Sequence, residues 1–337
     1  MTLPLHDRFP GTRALAHVGL ASLPTPVEPA PELARLLGLT SLFIKRDDVS
    51  AEAYGGNKVR KLEFLLGQAL AEKRKSVLTF GARGSNHVRA TAVYGKQLGL
   101  RIHAVLTPQP ETSYLEANLA ANRAAGATLY FASSMPEAFQ RSAELQTEIT
   151  RDDGIEPLVI PFGGTTPRGT IGFVNAALEL VAQIERGELP RPDVVYVPLG
   201  SMGTASGLVI GFAALGLPIH VIGVRVISAA IANLDLARLV VAQAVALLHE
   251  SDPGFPRLEP PKVELHVRDG FLGDGYAKPT AEARQAVDLA AAHGLHLETT
   301  YTGRALAALV ADAKAGRLTG KTALFWNTYS SRPVAPR

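Results

Sequence analysis

The 337-residue sequence contains no cysteine, only one tryptophan and only three methionines. The absence of cysteine excludes disulfide bonds, thiolate metal ligands and a cysteine nucleophile, and it is typical of proteins in a reducing compartment. Aromatic residues are also scarce, at 6% of the chain, whereas 47% of all residues are hydrophobic. This apolar fraction predicts a folded chain with a large core and excludes wholesale disorder.

Neither sign of charge dominates the sequence, which contains 34 lysines and arginines and 31 aspartates and glutamates. The densest basic segment, 72–75, is short and typical of a solvated helix end, so we expect no nucleic-acid partner. Glycine and proline interrupt the most apolar stretch, 205–226, and charged residues lie within 1–20, where a signal peptide would be apolar. We therefore expect a cytoplasmic protein without a membrane segment.

From residue 75 onward, short β-prone segments alternate with helical patterns, which is typical of parallel sheets covered by helices on both faces. The predicted strands are 76–80, 102–106, 128–131, 158–160, 193–198, 220–226, 263–266 and 322–326. The predicted helices include 88–98, 114–125, 170–185, 229–249, 280–293 and 304–314. We expect a surface loop over 250–262 and a tail over 330–337. The chain is too long for one small domain, so we expect two α/β lobes with a ligand cleft between them.

A first glycine-bounded cluster, Gly55-Gly56-Asn57-Lys58, is followed by apolar residues at helical spacing. Lys58 would thus lie in the first turn of a helix, where the positive end of the helix dipole lowers the pKa of an amine. Attack on a carbonyl carbon requires an unprotonated amine, so Lys58 is a candidate nucleophile. A solvated lysine at a helix start is the alternative, and Lys61, one turn further, competes for the same role.

Two further clusters have the composition of anion-binding loops at helix starts. In 81–87, which follows a predicted strand, Ser85 and Asn86 are good N-cap residues whose donors suit a small carboxylate. In 200–207, glycines and hydroxyl residues open a predicted helix. This segment lacks the GK[ST] of a nucleotide-binding P-loop, so a phosphate monoester suits it better than a nucleotide. A plain capped helix start is the alternative for the 81–87 cluster.

Two tyrosines near the end of the chain complete the candidate residues. Tyr276 lies in a predicted turn, and Tyr301 lies beside Thr302 just before a predicted helix. A packed ring with its hydroxyl at the surface is the alternative for either tyrosine. The nine histidines show no HExxH or comparable spacing, so we expect no metal site.

Several segments together carry a resemblance to a known family. They are 23–26 (LPTP), 43–48 (FIKRDD), 55–64 (GGNKVRKLEF), 85–89 (SNHVR), 161–164 (PFGG), 200–207 (GSMGTASG) and 301–303 (YTG). In this order they resemble the pyridoxal-phosphate enzymes of fold type II. Within that group they resemble the D-cysteine desulfhydrase / 1-aminocyclopropane-1-carboxylate (ACC) deaminase family. The resemblance extends over nearly the whole chain, and the GGNKxRKLE block is specific.

The resemblance implies a two-domain α/β fold with parallel sheets, as in the tryptophan synthase β-subunit. The large, cofactor-binding domain would comprise residues 1–60 and 168–337, and the small domain, with the substrate carboxylate loop, residues 61–167. The resemblance also implies a homodimer that acts on a small amino acid with pyridoxal 5′-phosphate as its cofactor.

For the cofactor, the resemblance implies a covalent site, a ring contact and a phosphate loop. Lys58 would form the Schiff base, Asn57 would lie beside the ring oxygen, and Thr302 would contact the pyridine nitrogen. The phosphate would bind to five consecutive residues, namely Gly200, Ser201, Met202, Gly203 and Thr204.

For the substrate, the resemblance implies a carboxylate loop and two facing tyrosines. Ser85, Asn86 and His87 would hold the carboxylate, and Ser85 would also lie near the reacting carbons. Tyr276 and Tyr301 would act as acid–base or polarising groups.

The implied reaction is β-elimination from D-cysteine or a similar β-substituted amino acid, giving pyruvate, ammonia and sulfide. The alternatives are an ACC deaminase giving 2-oxobutyrate and ammonia, an amino-acid racemase, and a non-catalytic protein that binds the cofactor or an amino acid. The family's deaminases carry Glu, Leu and Gln where this sequence has Thr302, Thr328 and His87, which favours the desulfhydrase. The sequence departs from the family at Gly84, where Gln is usual, and in 326–330 (WNTYS), where the family usually reads His-Thr-Gly-Gly.

Overall fold

The computed structural model describes residues 2–259 and 265–332 and has the predicted α/β architecture. The strands in these ranges are β1 (Val27–Pro29), β2 (Ser41–Lys45), β3 (Ser76–Ala82), β4 (Arg101–Thr107), β5 (Thr128–Phe131), β6 (Leu158–Ile160), β7 (Val194–Leu199), β8 (His220–Arg225), β9 (Leu265–Arg268) and β10 (Thr322–Trp326). The helices are α1 (Pro4–Arg8), α2 (Pro31–Leu37), α3 (Asn57–Ala71), α4 (Asn86–Gln97), α5 (Leu115–Ala124), α6 (Met135–Asp153), α7 (Pro167–Glu185), α8 (Gly203–Ala214), α9 (Leu234–Ser251), α10 (Ala281–Ala292) and α11 (Thr302–Lys314). Among the described residues, no helix is long and apolar enough to cross a membrane.

The larger sheet has the strand order β1-β2-β10-β7-β8-β9. Neighbouring strands from β2 to β9 are parallel, and only β1 runs antiparallel to its neighbour β2. Along β7, Val195 and Val197 belong to one hydrophobic cluster, whereas Val194 and Tyr196 belong to another. Since successive side chains of a strand point to opposite faces, this sheet is buried on both sides.

The smaller sheet has the order β5-β4-β3-β6 and is entirely parallel. Its four strands lie within the predicted small domain, and the six strands of the larger sheet lie within the predicted large domain. The exact domain boundaries stay a prediction, and the first of them, between residues 60 and 61, lies inside α3.

The predicted strands agree with the structure, apart from 263–264, which lie outside the described residues together with 260–262 of the predicted loop and 333–337 of the predicted tail. The helix predicted over 229–249 begins later, at Leu234, because the Asn233 side chain accepts a hydrogen bond from the Leu236 N–H and caps it there. That helix continues to Ser251, so the loop after it starts later than predicted. The elements β1, β2, α1, α2 and α6 were not among the predictions.

A buried cluster of charged side chains joins α3 to β2 and α7. Arg60 donates to Asp47 at 2.7 Å and to Glu179 at 2.9 Å, and Lys45 donates to Glu179 at 2.6 Å. None of these four side chains is more than 2% exposed. Burial opposes ionisation of Glu179, but Arg60 and Lys45 outweigh burial and hold the pKa of this carboxyl at about 2. The cluster therefore fixes the position of α3 at Arg60, about half a helical turn after Lys58.

We expect Glu179→Gln to lower the free energy of unfolding by about 3–5 kcal/mol, because it leaves two buried cations short of a counter-charge. Urea denaturation at neutral pH measures this loss. The matched control is Glu185→Gln on the same helix, where the carboxylate pairs with Arg8 at the surface and the loss should stay below about 1 kcal/mol. Because the pKa of Glu179 is depressed, its contribution should disappear as the pH falls from 4.5 towards 2. Equal losses in the two variants would contradict a stabilising role for the cluster.

Candidate active site

A cavity of about 370 Å³ lies where the loops after β3, β7 and β10 meet the start of α3. The carboxyl ends of parallel strands are the usual place for a ligand site in α/β folds. All predicted site residues except Gly203 and Thr302 line this cavity, namely Asn57, Lys58, Ser85, Asn86, His87, Gly200, Ser201, Met202, Thr204, Tyr276 and Tyr301.

Lys58 is the second residue of α3 and faces the cavity. The turn before it depends on Gly56, which has a φ of 91° and whose Cβ, if present, would lie 2.7 Å from the Thr328 carbonyl oxygen. Burial lowers the pKa of the Lys58 amine to about 8, so about a tenth of it is unprotonated at pH 7, far more than for an ordinary lysine. The described residues provide no hydrogen-bond acceptor for this amine, which leaves it available for a ligand.

Lys61, the competing lysine, does not line the cavity. Its Nζ donates to the Gly163 carbonyl oxygen at 3.1 Å and to the Thr165 hydroxyl at 3.3 Å. Burial and the neighbouring Lys58 lower its pKa well below the usual value, and none of the described carboxylates pairs with it. The geometry thus favours Lys58 as the reactive amine and leaves Lys61 as a buried amine beside the 200–204 loop.

The 200–204 loop connects β7 to α8, and Asn57 Nδ2 donates to Thr204 Oγ1 at 3.0 Å, which connects the loop to α3. The N–H of Gly203, the first residue of α8, donates to the Ser201 carbonyl oxygen at 2.9 Å, whereas the N–H groups of Thr204 and Ala205 have no partner within the helix and are available to an anion. A Cβ on Gly203 would lie 2.9 Å from Lys61 Nζ, 2.9 Å from Thr165 Oγ1 and 3.1 Å from Thr170 Oγ1. The loop therefore lies against the Lys61 amine and the hydroxyls of Thr165 and Thr170. These three groups were not predicted from the sequence to bind an anion.

Asn86 presents its amide to the cavity in a defined orientation. Its Oδ1 accepts from the Tyr54 hydroxyl at 3.0 Å and from Asn118 Nδ2 at 2.9 Å. The amide oxygen is thus occupied, and Nδ2 is left to donate to a ligand. Beside it, Ser85 caps α4 by accepting from the Val88 N–H at 3.3 Å. This arrangement suits a carboxylate.

His87 is buried and uncharged. Burial, Lys58 and Lys61 lower its pKa well below the usual value. The Thr79 hydroxyl donates to the Ile160 carbonyl oxygen, so the proton between Thr79 and His87 Nε2, 2.9 Å apart, belongs to the imidazole. His87 Nδ1 then carries a lone pair and has no partner among the described residues. A lone pair does not attract a carboxylate, so these contacts give no support to the prediction that His87 holds one.

Tyr276 and Tyr301 come together, with 2.5 Å between their hydroxyl oxygens. Burial raises the pKa of both, so both hydroxyls are protonated near neutral pH. One proton lies between the two oxygens, and the other is free to be donated into the cavity. This pair is a proton donor of the kind that a departing anion requires.

Thr302 does not reach the cavity. It is fully buried, and its hydroxyl contacts Glu298, whose carboxylate also accepts the backbone N–H groups of Thr300, Tyr301 and Thr302. Burial raises the pKa of Glu298, which itself lines the cavity and was not predicted from the sequence. Several hydroxyl residues line the cavity, and Thr328, after β10, is one of them. Because Thr302 itself does not line the cavity, its position gives no support to the predicted contact with the pyridine nitrogen.

The segment after β10, where the sequence departs from the family, forms one wall of the cavity. The Thr328 carbonyl oxygen accepts the Asn57 N–H at 3.1 Å, and Ser330 Oγ accepts the Gly55 N–H at 3.1 Å. Tyr329 packs against His296, with 5.4 Å between the ring centroids. The segment thus holds the turn before Lys58 and adds an aromatic ring to the site.

A family model described as "Pyridoxal-phosphate dependent enzyme" matches residues 18–328. The chain belongs to this family. Among curated pyridoxal-phosphate enzymes, it is 37% identical over 314 residues to the D-cysteine desulfhydrases of Salmonella schwarzengrund (strain CVM19633) and Salmonella typhi, which covers 91% of the chain and 90% of each relative. The predicted membership of the D-cysteine desulfhydrase / ACC deaminase family is thereby confirmed.

Solved structures agree with this membership. A crystal structure described as an ACC deaminase homologue has a TM-score of 0.84 and 31% identity, covering 98% of this chain and 95% of that chain. The processed form of threonine deaminase isoform 2 from Solanum lycopersicum has a TM-score of 0.65 and 18% identity, covering 98% of this chain and 85% of that chain, and shows the fold alone. The predicted fold class, the predicted cofactor and the prediction that the protein is a pyridoxal-phosphate-dependent enzyme are confirmed.

The residues around the cavity fit this cofactor. Lys58 supplies an amine of lowered pKa for the aldehyde, and Lys61 is a buried amine without a carboxylate partner among the described residues, so a phosphate would favour its protonated form. Thr170 Oγ1, beside the 200–204 loop, is buried without a hydrogen-bond partner, as expected of a donor whose acceptor is a ligand. These groups would hold the aldehyde end and the phosphate end of pyridoxal phosphate.

The two lysines can be separated by labelling. In the cofactor-loaded protein, borohydride reduction followed by peptide mass analysis should attach the cofactor to Lys58. Lys58→Ala should lose this label, whereas Lys61→Ala should keep it on Lys58 but bind the cofactor about tenfold more weakly, because a charge-assisted hydrogen bond contributes roughly 1.5–3 kcal/mol. A label on Lys61 in the native protein would contradict the assignment.

Two glycines of the same loop allow a matched test of the phosphate site. Gly203→Ala should lower cofactor affinity about tenfold or more, because the new methyl group displaces Lys61 and two threonine hydroxyls. Gly200→Ala should have a small effect, because its Cβ would meet only the Tyr301 ring at 3.6 Å and Val226 at 4.0 Å. Fluorescence titration of the apoprotein with pyridoxal phosphate measures both, and equal affinities would place the phosphate elsewhere.

Proposed function

We propose that this enzyme is a lyase that eliminates the β-substituent of a small amino acid, with D-cysteine as the preferred substrate. The balanced reaction converts D-cysteine and water into pyruvate, ammonia and hydrogen sulfide. One observation carries the proposal: the Lys58 amine, with its pKa near 8, faces the same cavity as the carboxylate donors Ser85 and Asn86. The D-cysteine desulfhydrase name of the Salmonella relatives supports the choice of substrate.

The cofactor, when bound, supplies the electron sink for carbon–hydrogen cleavage at Cα. Ser85, at the start of α4, and Asn86 Nδ2 bind the substrate carboxylate and fix its orientation. With the carboxylate held there, the Lys58 amine is the base that removes the Cα proton. The protonated pair Tyr276 and Tyr301 donates a proton to the departing thiolate.

The second candidate function is ACC deamination, which the 31% identity to the ACC deaminase homologue favours. Against it, the positions at which the family's deaminases have Glu and Leu are Thr302 and Thr328 here. A hydroxyl near the pyridine nitrogen keeps that nitrogen protonated less well than a carboxylate does, so it supports a weaker electron sink. ACC has no Cα proton to remove, so opening its cyclopropane ring depends more strongly on the electron sink than elimination of a thiol does.

Racemisation and non-catalytic binding have less support. The contacts that the described residues make around the cavity do not favour racemisation over elimination, and the family to which the chain belongs consists of enzymes, which argues against a non-catalytic binding protein. We also propose that the protein is a cytoplasmic homodimer. The lack of cysteine is compatible with that compartment. Exposed apolar side chains around the start of α9, such as Ile231 and Leu239, offer a surface for a second copy.

A product assay on two substrates tests the proposal. We expect the enzyme to release pyruvate and sulfide from D-cysteine in equal amounts, and to release little or no 2-oxobutyrate from ACC. Lys58→Ala, loaded with the same cofactor, is the control for non-enzymatic breakdown. Faster turnover of ACC than of D-cysteine would overturn the ranking. Interconversion of D- and L-amino acids without pyruvate would indicate a racemase instead.

A further inference from the structure

The amide that faces the substrate carboxylate is held from behind by a second asparagine. Asn118, on α5, donates through Nδ2 to Asn86 Oδ1 at 2.9 Å and to the Gly84 carbonyl oxygen at 2.8 Å. Asn118 is 1% exposed and does not line the cavity, so it contacts the ligand site only through these two groups.

Asn118 is oriented in turn by a buried arginine. Arg89 Nη1 donates to Asn118 Oδ1 at 3.0 Å, and its guanidinium lies 4.3 Å from the centroid of the Tyr54 ring. Arg89 is 7% exposed and forms no ion pair with any described carboxylate. Because a guanidinium only donates hydrogen bonds, the oxygen of Asn118 must face Arg89.

The direction of each hydrogen bond then determines the next. With its oxygen towards Arg89, Asn118 can only donate towards Asn86, so the oxygen of Asn86 must face Asn118. The NH₂ group of Asn86 is thereby turned to the cavity. The Tyr54 hydroxyl reinforces this choice by donating to the same Asn86 oxygen at 3.0 Å.

We propose that Arg89 and Asn118 are positioning residues that keep the NH₂ group of Asn86, rather than its oxygen, directed at the substrate carboxylate. An asparagine side chain can rotate its amide by half a turn at little steric cost, and the reversed amide would present a partial negative charge to the carboxylate. The chain of directed hydrogen bonds removes that freedom before the substrate arrives. The inference rests on the proposed function, because it assumes that Asn86 binds a carboxylate.

Two buried asparagines on α5 provide a matched pair of variants. Asn118→Ala removes the donor to Asn86, whereas Asn122→Ala, one turn further, removes an amide that has no hydrogen-bond partner among the described residues. The ligands are D-alanine, which has no leaving group on Cβ, and D-alaninol, which replaces its carboxylate with a hydroxymethyl group. The dissociation constant of each is read from the change in cofactor absorbance of the loaded enzyme.

We expect Asn118→Ala to weaken D-alanine binding about tenfold and to leave D-alaninol binding and the spectrum of the free enzyme unchanged. Asn122→Ala should bind both ligands as the native enzyme does. Equal weakening of both ligands in Asn118→Ala would indicate a general loss of structure and would overturn the inference, as would unchanged D-alanine binding.

The isosteric variant Asn118→Asp keeps an acceptor for Arg89 but offers only acceptors to Asn86. It should therefore reverse the Asn86 amide and weaken D-alanine binding at least as much as Asn118→Ala does. Asn86→Ala tests the carboxylate site separately from the positioning role of Asn118. If Asn86→Ala leaves D-alanine binding unchanged, the proposed carboxylate site is wrong. If Asn86→Ala weakens binding but neither Asn118 variant does, only the positioning role is wrong.

Discussion

The position of Lys58 depends on ion pairs from which water is excluded. Arg60 lies two residues after Lys58 and contacts carboxylates from two other parts of the fold, Asp47 and Glu179. The backbone N–H of Thr25 also donates to Glu179, so the hydrogen-bonding capacity of this carboxylate is used. Because a buried charge without its partner costs several kcal/mol, α3 has a single favourable position. A rigid support of this kind gives an active-site amine a defined geometry.

The cavity has the opposite electrostatic character. Lys58, Lys61 and His87 are packed together without a described carboxylate to pair with them, and burial suppresses the charge of all three. The one described carboxylate that lines the cavity, Glu298, is already bound by three backbone N–H groups. The site therefore has more hydrogen-bond donors and basic groups than described acceptors to pair with them. Anionic ligands such as a phosphate and a carboxylate restore the balance.

Much of this arrangement could be predicted from the sequence because it follows from local patterns. The β3–α4 and β7–α8 junctions are marked by strand residues, glycines and N-cap residues in a fixed order, and Lys58 follows a glycine pair at a helix start. The residues that were missed act over long sequence separations. Lys45 interrupts the apolar pattern of β2, and its partner Glu179 lies 134 residues further along the chain. Glu298 is the exception, because it accepts N–H groups only two to four residues further along the chain, but it does so from before the N-cap position of α11.

The orientation of polar side-chain groups also could not be predicted from the sequence. Asn86 was identified, but the direction of its amide depends on Asn118, 32 residues away, and therefore on the packing of α5 against α4. For the same reason Tyr301 lines the cavity, whereas the adjacent Thr302 is buried against Glu298. Adjacent residues at a helix start point in different directions, and only the tertiary structure decides which of them reaches the cavity.

The strand order has a consequence for synthesis on the ribosome. β10, the last strand of the described chain, lies between β2 and β7 and carries the segment that fixes the turn before Lys58. The smaller sheet uses strands from a continuous stretch of chain and can assemble early, whereas the larger sheet lacks an interior strand until residues 322–326 have been synthesised. A nascent chain without β10 lacks the contacts that hold the turn before Lys58. The order of synthesis thereby places completion of the cavity after folding of the smaller sheet.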